Sequence, residues 1–432
     1  RHTGFLPVSG HAQIAARPMT EDDIIKFDTV DPLGAHRRHF ELPADTIYLN
    51  GNSLGPLSTA SKHRVREVVE SQWGNDLISS WNKHQWIDLP LTVGEKIAPL
   101  IGAAPGQVLC CDSVSVNLFK LLAAALTNRA SKRTVILSQQ DNFPSDLYIA
   151  EGLINLLQEH GISAELRLVA AENLEEGIAQ APDVLLLTHV NFRTGAVHDM
   201  QRLTALAHDH DVPVIWDLSH SAGAMELALD DCQVDFAVGC GYKFLNGGPG
   251  APAFLYVASR LQAKLQQPLQ GWMGHKQPFA FEPEYAPDAG INQLQTGTPG
   301  ILSMSALDAA LSCFEGLTTI QLREKSLALS TLFLSLLEED LTCEPLTLVS
   351  PREPQQRGAQ LSFSHSDAFP ISQALIEGGV IVDFRAPNLI RLGFSPLFLS
   401  FAEVARSAAI LRQILTGGQF RQERFSVRAK VT

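Results

Sequence analysis

Three polar side chains follow apolar segments of the chain and are chemically suited to act together. Asp217 ends the run VIWD, His220 comes three residues later, and Lys243 lies between the run VDFAV and the turn GGPG. A lysine beside a buried strand is unfavourable unless its amine is paired, neutralised or covalently bonded. Taken alone, Lys243 could also be a surface lysine at a strand end, so its function depends on a partner elsewhere in the chain.

A serine-rich turn upstream predicts an anion site. The run VLCCD (108–112) is followed by SVSVNLF, in which Val114 and Ser115 begin a segment with apolar residues at helical spacing. Free backbone amides and the helix dipole favour an anion at such a helix start. A phosphate turn, then a buried carboxylate, then a lysine suits pyridoxal phosphate, which needs contacts for its phosphate, its pyridine nitrogen and its aldehyde. We therefore predict this cofactor.

The elements that would position these residues follow an α/β pattern. Apolar strands alternate with amphipathic helices, which is typical of a mostly parallel sheet covered on both faces. The seven predicted strands lie within residues 108–112, 133–138, 165–170, 183–190, 212–220, 234–240 and 251–259. Ligands of such sheets bind at the carboxyl ends of the strands, where Asp217 and Lys243 are expected.

The chain is predicted to divide into a large and a small domain. We expect a large cofactor-binding domain over 46–300, with a seven-stranded sheet flanked by helices, and a smaller C-terminal α+β domain over 301–432. Residues 19–45 are predicted to pack on the smaller domain. Residues 1–18 are interpreted as a tag or a disordered tail.

Composition argues against several classes of partner. The 432 residues include 33 basic and 46 acidic side chains, a net charge of -13, and no basic run, which argues against nucleic acid and anionic membranes. The sequence contains no run of eighteen or more apolar residues, so it predicts no membrane span. The six cysteines form no disulfide or zinc pattern, and no metal-ligand spacing occurs. We predict a cytoplasmic protein without a metal.

The order Asp217–x–x–His220 followed by Lys243 resembles the fold-type-I pyridoxal-phosphate enzymes of the aminotransferase class V group. Within that group the sequence is similar to the kynureninase family. The segments that carry the resemblance extend from about residue 45 to 400: YLNGNSLGP (48–56), SVNL (115–118), FPSD (143–146), DLSHSAG (217–223), GYKFLNGGPG (241–250), GWMGH (271–275), TGTPGIL (296–302) and IRLGFSPL (390–397).

The resemblance implies an activity. It is the hydrolysis of L-kynurenine, or of 3-hydroxykynurenine, to anthranilate or 3-hydroxyanthranilate and L-alanine. The bond cleaved joins the β and γ carbons, and pyridoxal 5'-phosphate is the cofactor. The reaction belongs to tryptophan catabolism through the kynurenine pathway, which leads to NAD biosynthesis.

The resemblance also implies residue roles. Lys243 would bond to the cofactor and then act as base at the α-carbon, Asp217 would pair with the pyridine nitrogen, and Tyr242 would donate a proton to the β-carbon. Arg391 would bind the substrate carboxylate, and His275 is a candidate for the aryl pocket. The other implied cofactor contacts are Val114, Ser115, Phe143, Asp146, Thr188, His220, Trp272 and Thr298. The last two would come from the neighbouring subunit of a homodimer.

Two positions depart from vertebrate-type members of the family. The pair Val114–Ser115 stands where they have Leu-Thr, and Thr298 stands where they have asparagine. Both changes keep a phosphate contact, but Thr298 leaves open which of the two kynurenines is preferred. Trp81 and Trp86 are further candidates for the aryl pocket, with an ordinary place in the core as the alternative.

Two other functions remain open on the sequence. The first is a cysteine desulfurase or class V aminotransferase of the same fold. Desulfurases typically have histidine where this chain has Tyr242, and they need a mobile catalytic cysteine, for which Cys343 is a weak candidate. The second is a binding or regulatory module without activity. The presence of Lys243, Asp217, His220 and Arg391 together argues against this module.

Overall fold

The structure is a computed structural model that describes residues 20–127, 134–338 and 346–427. The predicted tail over residues 1–18 and the candidate Cys343 lie outside the described residues. No single helix within these ranges is long and apolar enough to cross a membrane, although the segments Ile301–Phe314 and Thr319–Glu338 meet that criterion as a pair bent by 83°.

A seven-stranded sheet forms the centre of the large domain, as the alternating pattern predicted. In chain order the first strand, β1, is the short Ile47–Tyr48, which lies outside this sheet. The seven strands are β2 Val108–Cys110, β3 Thr134–Gln139, β4 Ala164–Val169, β5 Val184–Thr188, β6 Val214–Asp217, β7 Phe236–Cys240 and β8 Ala253–Val257. Their order across the sheet is β2-β8-β7-β6-β5-β3-β4. Only β8 is antiparallel to its neighbours β2 and β7; the other pairs are parallel.

The sheet is buried on both faces. Strands β5 to β8 are buried along their whole length, which explains why their sequences are continuously apolar rather than alternating. The longer helices of residues 46–300 are Thr59–Glu67, Leu89–Ile97, Val114–Thr127, Pro144–Glu159 and Met200–Asp209, with shorter turns at Gly74–Asp76, Ser80–Lys83, Leu174–Ala179 and Ser259–Gln262. Ser58 caps the helix Thr59–Glu67 by accepting a hydrogen bond from Ser61 N at 3.0 Å.

The C-terminal part of the chain has the predicted α+β texture. Strands β9 Thr347–Leu348, β10 Gln360–Ser364, β12 Asp383–Arg385 and β13 Leu389–Gly393 form a four-stranded sheet, and β11 Val380–Ile381 pairs with β1. The helices are Ile301–Ala310, Thr319–Glu338, Ala368–Glu377 and Phe401–Gly417. Strands β12 and β13 are antiparallel and are joined by a turn at residues 386–388.

The N-terminal segment contacts the C-terminal part. Asp28, in the helix Glu21–Val30, accepts hydrogen bonds from the backbone N–H groups of Phe401 and Ala402 at 2.7 and 2.9 Å. These amides lie at the start of Phe401–Gly417 and have no partner within that helix. Strand β1 lies within the predicted large domain over 46–300 but pairs with β11 of the predicted smaller domain. The positions of the domain boundaries therefore stay a prediction.

Candidate active site

The carboxyl ends of neighbouring strands bring the predicted polar residues together. Thr188 ends β5 and lies directly opposite Asp217, which ends β6. Strand β7 pairs with β6, and Lys243 follows its last residue by three positions. A parallel sheet places such strand ends at one edge, which is where ligands bind.

A cavity of about 620 Å³ opens at this edge. Its lining includes ten of the predicted site residues: Val114, Ser115, Phe143, Asp146, Thr188, Asp217, His220, Tyr242, Lys243 and Thr298. Thr298 lines the cavity of its own chain. Its contribution to the site of a neighbouring subunit stays a prediction. Trp272, His275 and Arg391 are not among the lining residues.

Lys243 and His220 form the polar centre of the cavity. The Lys243 amine donates a hydrogen bond to His220 Nε2 at 3.1 Å, and both side chains are buried. Burial lowers the pKa of His220 well below its usual value, and the nearby positive charge of Lys243 lowers it further. The imidazole is therefore neutral and accepts the hydrogen bond. His220 Nδ1 has no partner among the described residues.

The carboxyl groups of Asp146 and Asp217 also line the cavity. Asp217 accepts a hydrogen bond from Ser219 N at 2.8 Å, and Asp146 lies beside it in the first turn of Pro144–Glu159. Burial raises the pKa of Asp146 well above its usual range, and the neighbouring Asp217 carboxylate raises it further. The proton of this pair is therefore favoured on Asp146.

A loop and a helix start form the end of the cavity. The helix Val114–Thr127 begins where the serine-rich turn was predicted, and Ser115 Oγ lies 3.1 Å from Ser145 Oγ. Across from this turn the cavity is lined by residues 295–300. Free amides at the start of a fourteen-residue helix, together with hydroxyl groups, can hold an anion.

Aromatic rings flank the amine. The Lys243 nitrogen lies 5.8 Å from the ring centroids of both Phe143 and Tyr242. Burial raises the pKa of Tyr242 above its usual range, so that the phenol stays protonated and can act as a proton donor. Phe143 packs edge-on against Phe192 at 5.1 Å between centroids.

Arg391 is buried beside the cavity and is not part of a surface ion pair. Its guanidinium donates hydrogen bonds to the Asp383 carboxylate, to Phe192 O at 2.6 Å and to Ser53 Oγ at 3.2 Å. Its charge also contributes to the lowered pKa of His220. Arg391 Nε and Asp383 Oδ1 are buried without partners in the described residues.

Trp272 and His275 lie on a separate, more exposed segment. The Trp272 ring stacks on Phe281 and meets Phe279 edge-on. His275 is buried and accepts a hydrogen bond from Gln277 N at 3.0 Å. Trp86 is also buried, with Nε1 donating to Gln72 Oε1 at 2.8 Å and Trp81 packed against it at 5.9 Å. Neither Trp81 nor Trp86 lines the cavity around Lys243.

The sequence interpretation missed polar residues that contact the predicted ones. Asn142, directly before the FPSD motif, accepts a hydrogen bond from Thr188 N at 2.9 Å and leaves its own Nδ2 without a partner among the described groups. Asp383 lies directly opposite Arg391 across β12 and β13. In the sequence, VIVDFR (380–385) and LIRLG (389–393) are apolar segments separated by Pro387 and Asn388, a pattern typical of an antiparallel strand pair, so the carboxylate of Asp383 was a usable signal.

Gly55 shows how closely the segment 48–56 approaches the loop that carries Lys243. Gly55 N donates to Tyr242 O at 2.8 Å, and a Cβ at this position would lie 2.5 Å from the backbone oxygen of Lys243. Only glycine allows this approach without displacing the loop. The segment YLNGNSLGP therefore supports the backbone around Lys243.

Comparison with solved structures defines the class of fold. The chain is similar to a cysteine desulfurase from Thermococcus onnurineus NA1, with a TM-score of 0.71, 18% identity, and coverage of 93% of this chain and 100% of that one. It is also similar to a C-DES mutant with glycine covalently linked to the PLP cofactor, with a TM-score of 0.74, 19% identity, and coverage of 87% and 98%. The chain therefore has the fold of the class V pyridoxal-phosphate enzymes.

Sequence comparison gives the family. Residues 322–411 match the model of the kynureninase C-terminal domain. The kynureninase of Pseudomonas fluorescens is 45% identical over 417 residues, which are 96% of this chain and 100% of the relative. The kynureninase of Burkholderia pseudomallei (strain 1106a) is similar to the same extent. The chain belongs to the kynureninase family.

Proposed function

We propose that this chain hydrolyses L-kynurenine to anthranilate and L-alanine with pyridoxal 5'-phosphate as cofactor. The observation that supports this most strongly is the full-length similarity to kynureninases, combined with a buried lysine in a cavity lined by the predicted residues. The reaction consumes one water, and the β,γ carbon–carbon bond is the one that breaks.

The cavity residues fit this cofactor. Lys243 supplies the amine for its aldehyde, Asp217 a carboxylate for its pyridine nitrogen, and the turn at residues 113–115 amides and hydroxyls for its phosphate. Two buried polar atoms near these groups, His220 Nδ1 and Asn142 Nδ2, have no partner in the described structure. Buried polar atoms are normally satisfied, so that these two indicate a polar ligand.

When bound, the cofactor serves as an electron sink for the bonds at the α and β carbons of the substrate. Lys243 would act as the base at the α-carbon of the substrate. The neutral His220 accepts a hydrogen bond from its amine and holds it in place. Tyr242, adjacent in sequence and protonated, is the proposed donor to the β-carbon as the aryl product leaves.

Arg391 is the proposed ligand of the substrate carboxylate. Its fork of donors suits a carboxylate, and Asp383 and Phe192 O already fix its orientation. Phe192 packs against Phe143, which lines the cavity, and this contact supports a position of the guanidinium near the proposed cofactor. Binding through Arg391 would hold the α-carbon of the substrate over the Lys243 amine.

We further propose that the protein works as a homodimer. Trp272, Phe279 and Phe281 form an exposed aromatic cluster, and Trp73, Leu77 and Ile78 are also exposed, the last at 80%. Exposed apolar groups of this size are typical of an interface. Trp272 and His275 would then reach the site of the neighbouring subunit. The free thiols of the five described cysteines support a reducing, cytoplasmic compartment.

The test is a direct assay of the purified protein. L-kynurenine, 3-hydroxykynurenine and L-cysteine are supplied in parallel, and anthranilate fluorescence, alanine and sulfide are measured. We expect anthranilate and alanine in equal amounts from L-kynurenine, and the 3-hydroxykynurenine arm gives the aryl preference. Sulfide and alanine from cysteine without anthranilate from kynurenine would instead favour the desulfurase alternative. No turnover by a cofactor-loaded protein would favour the binding module.

A further inference from the structure

A buried lysine outside the cavity holds the proposed phosphate turn. Lys120, in the helix Val114–Thr127, is fully buried, and its amine lies 2.7 Å from Asp112 Oδ2 and 2.6 Å from Leu294 O. Asp112 also accepts a hydrogen bond from Thr296 Oγ1 at 3.3 Å. One buried cation therefore connects the turn, the helix behind it and the opposite cavity wall at residues 294–298.

Asp112 presents an electrostatic difficulty for phosphate binding. It lines the same cavity as Ser113 and Ser115, and its carboxylate is next in sequence to the amides proposed to hold the phosphate. A phosphate ester carries up to about two negative charges at neutral pH. An uncompensated carboxylate beside it would repel the phosphate, because like charges close together are unfavourable.

Lys120 is the group placed to remove that repulsion. Among the described residues that line the cavity, Lys243 is the only lysine or arginine, and it is assigned to the cofactor aldehyde. Lys120, which does not line the cavity itself, donates to Asp112. The other side chain near its amine is Cys111, whose Sγ lies at 3.6 Å. Burial raises the pKa of that thiol to about 11, which leaves Asp112 as the charged partner.

We propose that Lys120 is a positioning residue for the cofactor phosphate: it neutralises Asp112 and joins the turn at residues 112–115 to the wall at residues 294–298. This inference rests on the proposed phosphate position. The chain of contacts continues from Thr296 to the segment that contains Trp272. Met273 N donates to Thr296 O at 3.3 Å, and Gly271 lies against the backbone of Thr296.

The test compares pyridoxal phosphate with pyridoxal, which lacks the phosphate. The cofactor is removed from the full-length protein, and the dissociation constants of both compounds are measured by absorbance titration. The dissociation constant of pyridoxal divided by that of pyridoxal phosphate reports phosphate recognition alone. A larger ratio means a stronger preference for the phosphorylated compound. We expect Lys120→Met to reduce the preference for the phosphorylated form by at least about tenfold. Asp112→Asn should increase the preference, because it removes the charge that repels the phosphate, and the double variant should restore most of the preference lost in Lys120→Met.

The opposite effects of the two single variants separate this role from a structural one. A general loss of fold would weaken both compounds together and leave their ratio unchanged. If Lys120→Met does not fold, Asp112→Asn and the double variant still carry the test. A ratio that changes in the same direction in Lys120→Met and Asp112→Asn, or that changes in neither, would overturn the inference.

Ser115→Ala tests the phosphate position itself. A reduced ratio for Ser115→Ala, with no change for the Lys120 and Asp112 variants, would remove only the role of Lys120. An unchanged ratio for Ser115→Ala and for all other variants would remove the proposed phosphate turn and the inference with it.

Discussion

The Lys243 amine has a neutral neighbour rather than a second charge. His220 is buried, its pKa is lowered, and it accepts a hydrogen bond from the amine at 3.1 Å. A protonated imidazole at this distance would repel the ammonium group and any cationic cofactor ring. The buried histidine therefore orients the amine without opposing the chemistry proposed for it.

Arg391→Lys should weaken substrate binding. Lysine keeps the charge opposite Asp383 but loses the two-pronged contact with a carboxylate. We expect KM for L-kynurenine to rise by about tenfold with a smaller change in kcat. The matched control is Arg385→Lys, since Arg385 also pairs with Asp383 but is 43% exposed. An unaltered KM in the Arg391 variant would remove this residue from the carboxylate role.

His189 should make stability depend on pH. Its pKa is lowered to about 3, first by burial, whereas an unfolded histidine titrates near 6.5. Because the folded state resists protonation, this stability is complete above about pH 6.5 and is lost as the pH falls toward 3. Between pH 7.5 and 5.0 the loss is about 2 kcal/mol. Denaturant unfolding of His189→Gln should show a correspondingly smaller pH effect; an equal effect would contradict the assignment.

At the scale of elements, buried charges join segments that are distant in sequence. Lys325, in Thr319–Glu338, lies 2.7 Å from Asp31, and both side chains are buried. Burial lowers the pKa of Lys325, and Asp31 opposes that effect. Arg37 adds a 2.7 Å ion pair to Glu403, at the start of Phe401–Gly417. The N-terminal segment is thus fixed to two helices of the C-terminal part.

Lys325→Met should destabilise the protein strongly. It leaves Asp31 buried without its cation, which costs about 3–5 kcal/mol in comparable cases. The double variant Lys325→Met with Asp31→Asn should recover most of this loss. Lys96→Met, which breaks the exposed pair with Asp308, is the control and should cost at most about 1 kcal/mol. Similar free energies of unfolding for the Lys325 and Lys96 variants would contradict this account.

The strands and the residues at their ends could be predicted because burial on both faces leaves a clear apolar pattern. Thr188, Asp217 and Lys243 were found this way, and the structure places them at one edge. The Lys120–Asp112 contact could not be found, since it depends on the direction of two side chains eight positions apart. The pairing of β1 with β11 was equally hidden, because two-residue strands carry no periodicity.

At the scale of the whole molecule, the proposed site depends on both parts of the chain. The sheet edge supplies Lys243 and Asp217, and β13 supplies Arg391. The segment 48–56 contacts both, through Gly55 on the lysine loop and Ser53 on Arg391 and Asp383. The exposed aromatic cluster around Trp272 suggests that a second copy completes the site.

Ile78→Asp should weaken the proposed dimer. A charge at an apolar interface costs desolvation energy, and we expect a lower molecular mass in sedimentation together with reduced cofactor occupancy. Ile162→Asp is the control, since Ile162 is also exposed, at 45%, but lies outside the proposed interface. A wild-type protein that sediments as a monomer while fully active would contradict the dimer.

The central claim is that Lys243 carries the cofactor, and borohydride reduction tests it most directly. The loaded protein is reduced, digested and mapped by mass spectrometry, with Lys243→Ala treated in parallel. We predict one pyridoxyl-labelled peptide, modified at Lys243, and no labelled peptide from the variant. A label on another lysine, or no label on a wild-type protein that contains the cofactor, would contradict the account.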